Sequence, residues 1–186
     1  TKLLPTCEPD PGNAGGGIHV LNLPSHPMGV AFLFWIEVNQ MNVLIFANGE
    51  MPNVAWTRPF LAQASRIIAA DGGTRHLYRL GVLPDVVVGD MDSLSPDVLD
   101  WVSEADVEMI RHDQEKDETD LELALLYAKQ FDEEIMLFGV LGGRLIQMLT
   151  NILLLAHPDL QDCSMMLMEA FERAWLITDF VTFSGQ

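Results

Sequence analysis

The alternation of apolar and polar positions changes character at Met41. Before it, Pro5, Pro9, Pro11, Gly12 and the glycines at 15–17 interrupt any sustained period, as turn-forming residues do. After it, short apolar runs alternate with helix-patterned stretches. Strands are predicted over 42–47, 66–70, 85–88, 107–110 and 134–138. The run Asp85, Val86, Val87, Val88 is β-branched without alternation, the mark of a strand covered on both faces. Helices are predicted over 74–80, closed by Gly81, and over 96–104, opened by Ser95 and Pro96. Two more are predicted over 119–131 and 144–156. In the first of these, apolar residues at 121, 123, 124, 125, 127, 128 and 131 predict a largely buried helix.

This alternation predicts an α/β fold, a parallel sheet with helices on both faces. Ligands of such sheets bind beyond the carboxyl ends of the strands. The tail reads differently. Strands are predicted over 164–168 and 174–178, with a third over 180–183, as if a β-rich unit began and did not finish. The expected organisation is an extension of unclear role over 1–40, an α/β domain over 41–160, and over 161–186 the start of a truncated β domain.

Composition narrows the partners. With 49% hydrophobic residues, the 186-residue chain can build a substantial core. Acidic residues outnumber basic ones 27 to 10, a formal charge of -17. That balance argues against nucleic acid and against an anionic membrane surface. It leaves room for a nucleotide held through a metal ion. The longest apolar stretch, 28–38, is interrupted by Glu37 and is shorter than the roughly 20 residues of a membrane span. It has no flanking features of a signal peptide. Cys7 and Cys163 fit no metal spacing or disulfide framework, and a reduced, cytoplasmic setting is expected.

Four clusters follow predicted strands. Asp71, Gly72 and Gly73 form a turn whose glycines let backbone approach a ligand; it is also an ordinary strand-to-helix link. Asp90 and Asp92, with Gly89, Met91 and Ser93, can converge on one cation if the backbone turns; they can also simply fill a turn. Asp117 and Asp120 share a face if they stand on a first helical turn, while Thr119 with Glu122 fits a capping box. Gly139, Gly142, Gly143 and Arg144 form a glycine-rich turn ending in a guanidinium suited to phosphate, or a tight turn only. Four such turns along one sheet edge are explained together by a metal–phosphate site.

The segments ADGG at 70–73, LGVLPDVVVGDMDS at 80–93, KDETDLELAL at 116–125 and GVLGGRLIQMLTN at 139–151 resemble the thiamine pyrophosphokinase family in order and spacing. The resemblance runs from about Met41 to Gln186. It implies an α/β catalytic domain followed by a β-sandwich domain, a homodimer, and transfer of diphosphate from ATP to thiamine with release of AMP. It implies that Asp90, Asp92 and Asp120 hold Mg2+ and serve catalysis. Asp71, Gly72, Gly73, Ser93, Thr119, Gly143 and Arg144 would bind the nucleotide or its phosphates, with Gln147 and Asn151 on the next helix.

Two departures stand out. The family pattern after GGR places an Asp where this chain has Ile146. The segment 175–179 resembles the opening of the β domain, most of which the sequence does not contain. Both leave open an alternative, a catalytically impaired nucleotide-binding homologue. Another Mg-dependent phosphate-transfer enzyme is a further alternative.

Overall fold

A computed structural model describes residues 42–113 and 117–176. The described residues fall in one unit that begins at Met41. They build a seven-stranded sheet from β1 (Asn42–Phe46), β2 (Ala64–Ala70), β3 (Val86–Gly89), β4 (Glu108–Arg111), β5 (Glu134–Phe138), β6 (Met165–Met168) and β7 (Arg173–Ala174). The order is β4-β3-β2-β1-β5-β6-β7. Every pairing is parallel except β6 with β7.

Each strand of the sheet centre sends alternate residues to opposite faces. Val43, Ile45, Ile68, Val86 and Val88 pack with Leu121, Ala124, Leu125 and Ala128 of α4 (Asp120–Ala128). Leu44, Phe46, Ala69 and Val87 pack on the other side with Leu77 and Leu80 of α2 (Thr74–Leu80) and Val102 of α3 (Pro96–Glu104). Phe46 and Phe138 stack there at 5.0 Å between ring centroids. The remaining α-helices among the described residues are α1 (Arg58–Leu61) and α5 (Leu145–Leu153). The predicted parallel sheet covered on both faces is the fold observed. Among the described residues no helix is long and apolar enough to cross a membrane.

Local signals act as expected at most boundaries. Gly81 ends α2 in the left-handed conformation, φ 67°, which costs glycine little. Thr119 caps α4 by accepting from the Glu122 N–H. Ser95 stands at the N-cap of α3, but its side chain makes no capping bond; its carbonyl takes the N–H groups of Val98 and Leu99 instead. The long predicted helices stop early: α4 and α5 each tighten into a 3-10 turn, at Lys129–Phe131 and Leu154–Ala156.

The tail needs a correction. The strand predicted over 164–168 does not open a separate β unit: Met165–Met168 pairs with β5 in parallel inside the main sheet. Its unbroken apolar run reflects burial, since Met165, Leu167 and Met168 are all buried in the common core. Of the strand predicted over 174–178, Ala174 belongs to β7, while Trp175 and Leu176 lie past its end. The strand predicted over 180–183 and the extension over 1–40 lie outside the described residues.

Candidate active site

The sheet order reverses at β1: β2, β3 and β4 lie on one side of it, β5 and β6 on the other. Loops leaving β1 and β5 therefore run in opposite directions and leave a crevice. A cavity of about 560 Å³ opens there. It is lined by the loops after β1, β2, β3 and β5 and by the starts of α4 and α5.

On the β2–β3 side the wall is acidic. Asp71, Asp90 and Asp92 each bring one carboxylate oxygen within 4.8 Å of the others. Carboxylates one residue apart diverge on an extended chain. Here Met91 between them adopts φ 68°, and the turn brings Asp90 and Asp92 together. The Asp92 N–H donates to Asp90 Oδ1 at 3.1 Å, and the Ser93 hydroxyl to Asp92 Oδ1 at 3.2 Å. Asp71 is also left-handed, φ 40°. Non-glycine residues held in this region cost about 1–3 kcal/mol each and cluster at functional sites.

Asp71 is buried, and its Oδ1 has no hydrogen-bond partner. Burial pushes its carboxyl above the usual range; the Ser93 hydroxyl and Gly72 N–H oppose that, and the Asp120 and Asp90 carboxylates add to it. Gly89 permits this crowding, because a Cβ there would lie 2.8 Å from Asp71 Cβ and 3.1 Å from Asp120 Oδ1. Three carboxylates, one of them with an orphaned buried oxygen, fit a small divalent cation such as Mg2+.

On the β1–β5 side the wall is backbone. Gly49 packs so closely that a Cβ would lie 2.2 Å from the Leu141 carbonyl oxygen. The Gly49 N–H donates to Gly139 O at 2.7 Å and the Glu50 N–H to Leu141 O at 3.1 Å. Helix α2 braces the same loop: His76 Nε2–H donates to Gly49 O at 2.9 Å, and Arg79 donates to Met51 O and Pro52 O, both at 2.8 Å. Burial lowers His76 to about 4, so it is neutral at pH 7. Asn151, on α5, is buried and donates to Val140 O at 3.0 Å. The Leu141 N–H is held by Glu169, whose carboxyl burial raises.

Of the residues singled out in the sequence, Asp71, Asp90, Ser93, Thr119, Asp120, Gly143, Arg144, Gln147 and Asn151 line the cavity. Asp92 joins through the carboxylate cluster. Asp120 stands beside Asp71 but outside the three-carboxylate set, while Asp71 is inside it. Gly72 and Gly73 do not line the cavity: a Cβ on Gly72 would meet the Asn48 side chain at 2.4 Å, and one on Gly73 the Phe46 carbonyl at 1.9 Å. They are small so that the turn can sit on the β1 loop. Ile146 is 80% exposed and is not part of the wall. Sequence reasoning missed Asn48, Gly49, Glu50 and Arg75. The signal was available: Asn48–Gly49 follows β1 on the same sheet edge as the other clusters.

The sequence model of the family described as "Thiamin pyrophosphokinase, catalytic domain" matches residues 57–167. The chain belongs to the thiamine pyrophosphokinase family. Thiamine pyrophosphokinase of Bacillus subtilis (strain 168) is 37% identical over 89 residues, 47% of this chain and 42% of that one. Thiamine pyrophosphokinase 1 of Arabidopsis thaliana is 29% identical over 140 residues, 62% of this chain and 51% of the relative. The crystal structure of the pyrophosphokinase from Geobacillus thermodenitrificans matches with TM-score 0.59 and 30% identity, covering 69% of this chain and 59% of that one. The chain thus spans about half the length of the curated pyrophosphokinases it matches.

Proposed function

We propose that this chain carries the donor-nucleotide site of a thiamine diphosphokinase, which moves a diphosphate from ATP to thiamine and releases AMP. One observation carries the reading: in a chain of this family, a single cavity is lined by Asp71, Asp90 and Asp120 and by the Arg144 guanidinium. The thiamine hydroxyl oxygen bonds to the β-phosphorus of ATP, the bond from that phosphorus to the oxygen bridging to the α-phosphate breaks, and AMP leaves with the electron pair. The hydroxyl proton passes to a carboxylate of the site. Asp71, Asp90 and Asp92 would hold Mg2+, with Asp120 beside them. When bound, the metal supplies positive charge that offsets the phosphate oxygens. Arg144 meets phosphate with a planar fork of donors. Thr119 and Gln147 line the same cavity and fix the orientation of the nucleotide.

The net charge of -17 supports small-molecule substrates over nucleic acid. The reading includes a homodimer, on the family resemblance, and a cytoplasmic setting, on the sparse cysteines. The test is AMP formation from ATP and Mg2+ by the purified chain, with and without thiamine. Thiamine-dependent AMP together with thiamine diphosphate is expected. Thiamine-independent release of AMP, or none at all, overturns the reading.

A further inference from the structure

Arg75, near the start of α2, is exposed and lines the cavity. Its Nη2 donates to Asn48 O at 2.8 Å and to Gly49 O at 3.1 Å. Two carbonyls therefore fix the guanidinium, and no carboxylate neutralises it among the described residues. A guanidinium carries five N–H donors. Those on Nε and Nη1 have no partner among the described residues.

Bracing the β1 loop explains Nη2 but not the need for a charge. Arg79, one turn later, shows bracing by itself: both its Nη atoms are spent on Met51 and Pro52, and it does not line the cavity. Arg75 instead brings a fixed positive charge and spare donors to a wall rich in carboxylates. Glu50, Asp71, Asp90 and Glu118 line that wall, yet among the described residues no ion pair joins any of them to Arg75. An unpaired, immobilised guanidinium suits an anion that arrives from outside.

We propose that Arg75 is a second phosphate-contacting residue of the donor site, held by the Asn48 and Gly49 carbonyls and presenting its remaining N–H donors to the polyphosphate of ATP. The inference rests on the donor-site reading above and adds a residue of different origin to Arg144, from α2 rather than the β5–α5 loop.

The readout is the ratio of ATP affinity (with Mg2+, without thiamine) to adenosine affinity, by calorimetric titration. A distorted loop weakens both ligands together; a lost phosphate contact weakens ATP alone. Arg75→Gln removes the charge and, because its amide nitrogen reaches only as far as the guanidinium Nε, also gives up the two carbonyls, a loss of bracing that the adenosine affinity registers. Its ratio is expected to fall about tenfold or more, with a smaller fall in Arg75→Lys. A ratio unchanged in both variants overturns the proposal. Should Arg75→Gln fail to fold, Arg75→Lys decides alone, since an unchanged ratio there shows that the fork of donors is not used. If the unsubstituted chain binds adenosine no more weakly than ATP, or binds neither, the donor-site reading itself falls, and this inference with it.

Discussion

On the β2, β3 and α4 side of the cavity, the chemistry is carried by side chains. Four carboxylates crowd together, and two residues, Asp71 and Met91, hold left-handed backbone to bring them there. On the β1 and β5 side it is carried by backbone: Ala47, Gly49 and Glu50 hydrogen-bond along the chain from Phe138 to Leu141, with no room for a Cβ at Gly49. The first half is sensitive to charge and less to shape. The second is sensitive to shape and less to charge. That difference predicts how each half fails.

The largest effect belongs to the acidic half. Asp90→Asn keeps the shape and removes a charge, and thiamine-dependent AMP formation should drop about 10²–10³-fold, the scale of losing one preorganised electrostatic group. Asp71→Asn should lower activity similarly and yet raise stability in a chelator, by about 1 kcal/mol, because it removes a buried charge that faces two other carboxylates and has one unpartnered oxygen. Thermal melts in EDTA check this. A destabilised Asp71→Asn protein would mean that the carboxylate holds the fold rather than a cation.

How much of this was legible follows the same division. Charges announce themselves in a sequence, so Asp90, Asp92 and Asp120 stood out by type and spacing. Shape does not. Gly49 resembles any loop glycine until Leu141, distant in sequence, is seen pressing on it. Gly72 and Gly73 were legible as small but not as packing residues, because their neighbours Phe46 and Asn48 belong to β1 and the loop after it. The fold was read well where elements are local, as at 74–80 and 134–138. The boundary at residue 161 was misplaced because a methionine-rich strand buried in a parallel sheet and the first strand of a new unit look alike until pairing is known.

The brace on the shape-sensitive half should show in acid. His76 is depressed to about 4 from the usual 6.5, chiefly by burial. As pH falls from 6.5 toward 4, the unfolded chain takes up this proton and the folded chain does not. The folded state therefore loses stability across that window, by at most about 3 kcal/mol. His76→Gln can still donate to Gly49 O but does not titrate. Urea unfolding between pH 7 and 4.5 should give a shallower fall for His76→Gln than for the unsubstituted chain. Equal slopes would place the acid sensitivity elsewhere.

Two glycines of the same half separate crowding from backbone strain. Gly49→Ala meets the Leu141 and Gly139 carbonyls and should cost about 2–3 kcal/mol. Gly143→Ala meets nothing within 4 Å, but φ is 80°, and the cost should be about 1 kcal/mol. Chemical unfolding of the two variants measures the order. Should Gly143→Ala prove the worse, backbone strain rather than close approach would shape this wall.

The smallest effect is expected at Ile146, where the family pattern places an Asp. The side chain is 80% exposed on the first turn of α5, outside the cavity wall that Arg144 and Gln147 line. Ile146→Asp puts a negative charge at a helix N-terminus, which favours it by about 0.3–1 kcal/mol. Thermal melting should register a small rise, and kcat/KM for thiamine should stay within about threefold. This variant bears hardest on the division between the halves. A rise of tenfold or more would show that a carboxylate at 146 reaches the reacting groups. The α5 side of the cavity would then work by charge as well as by shape.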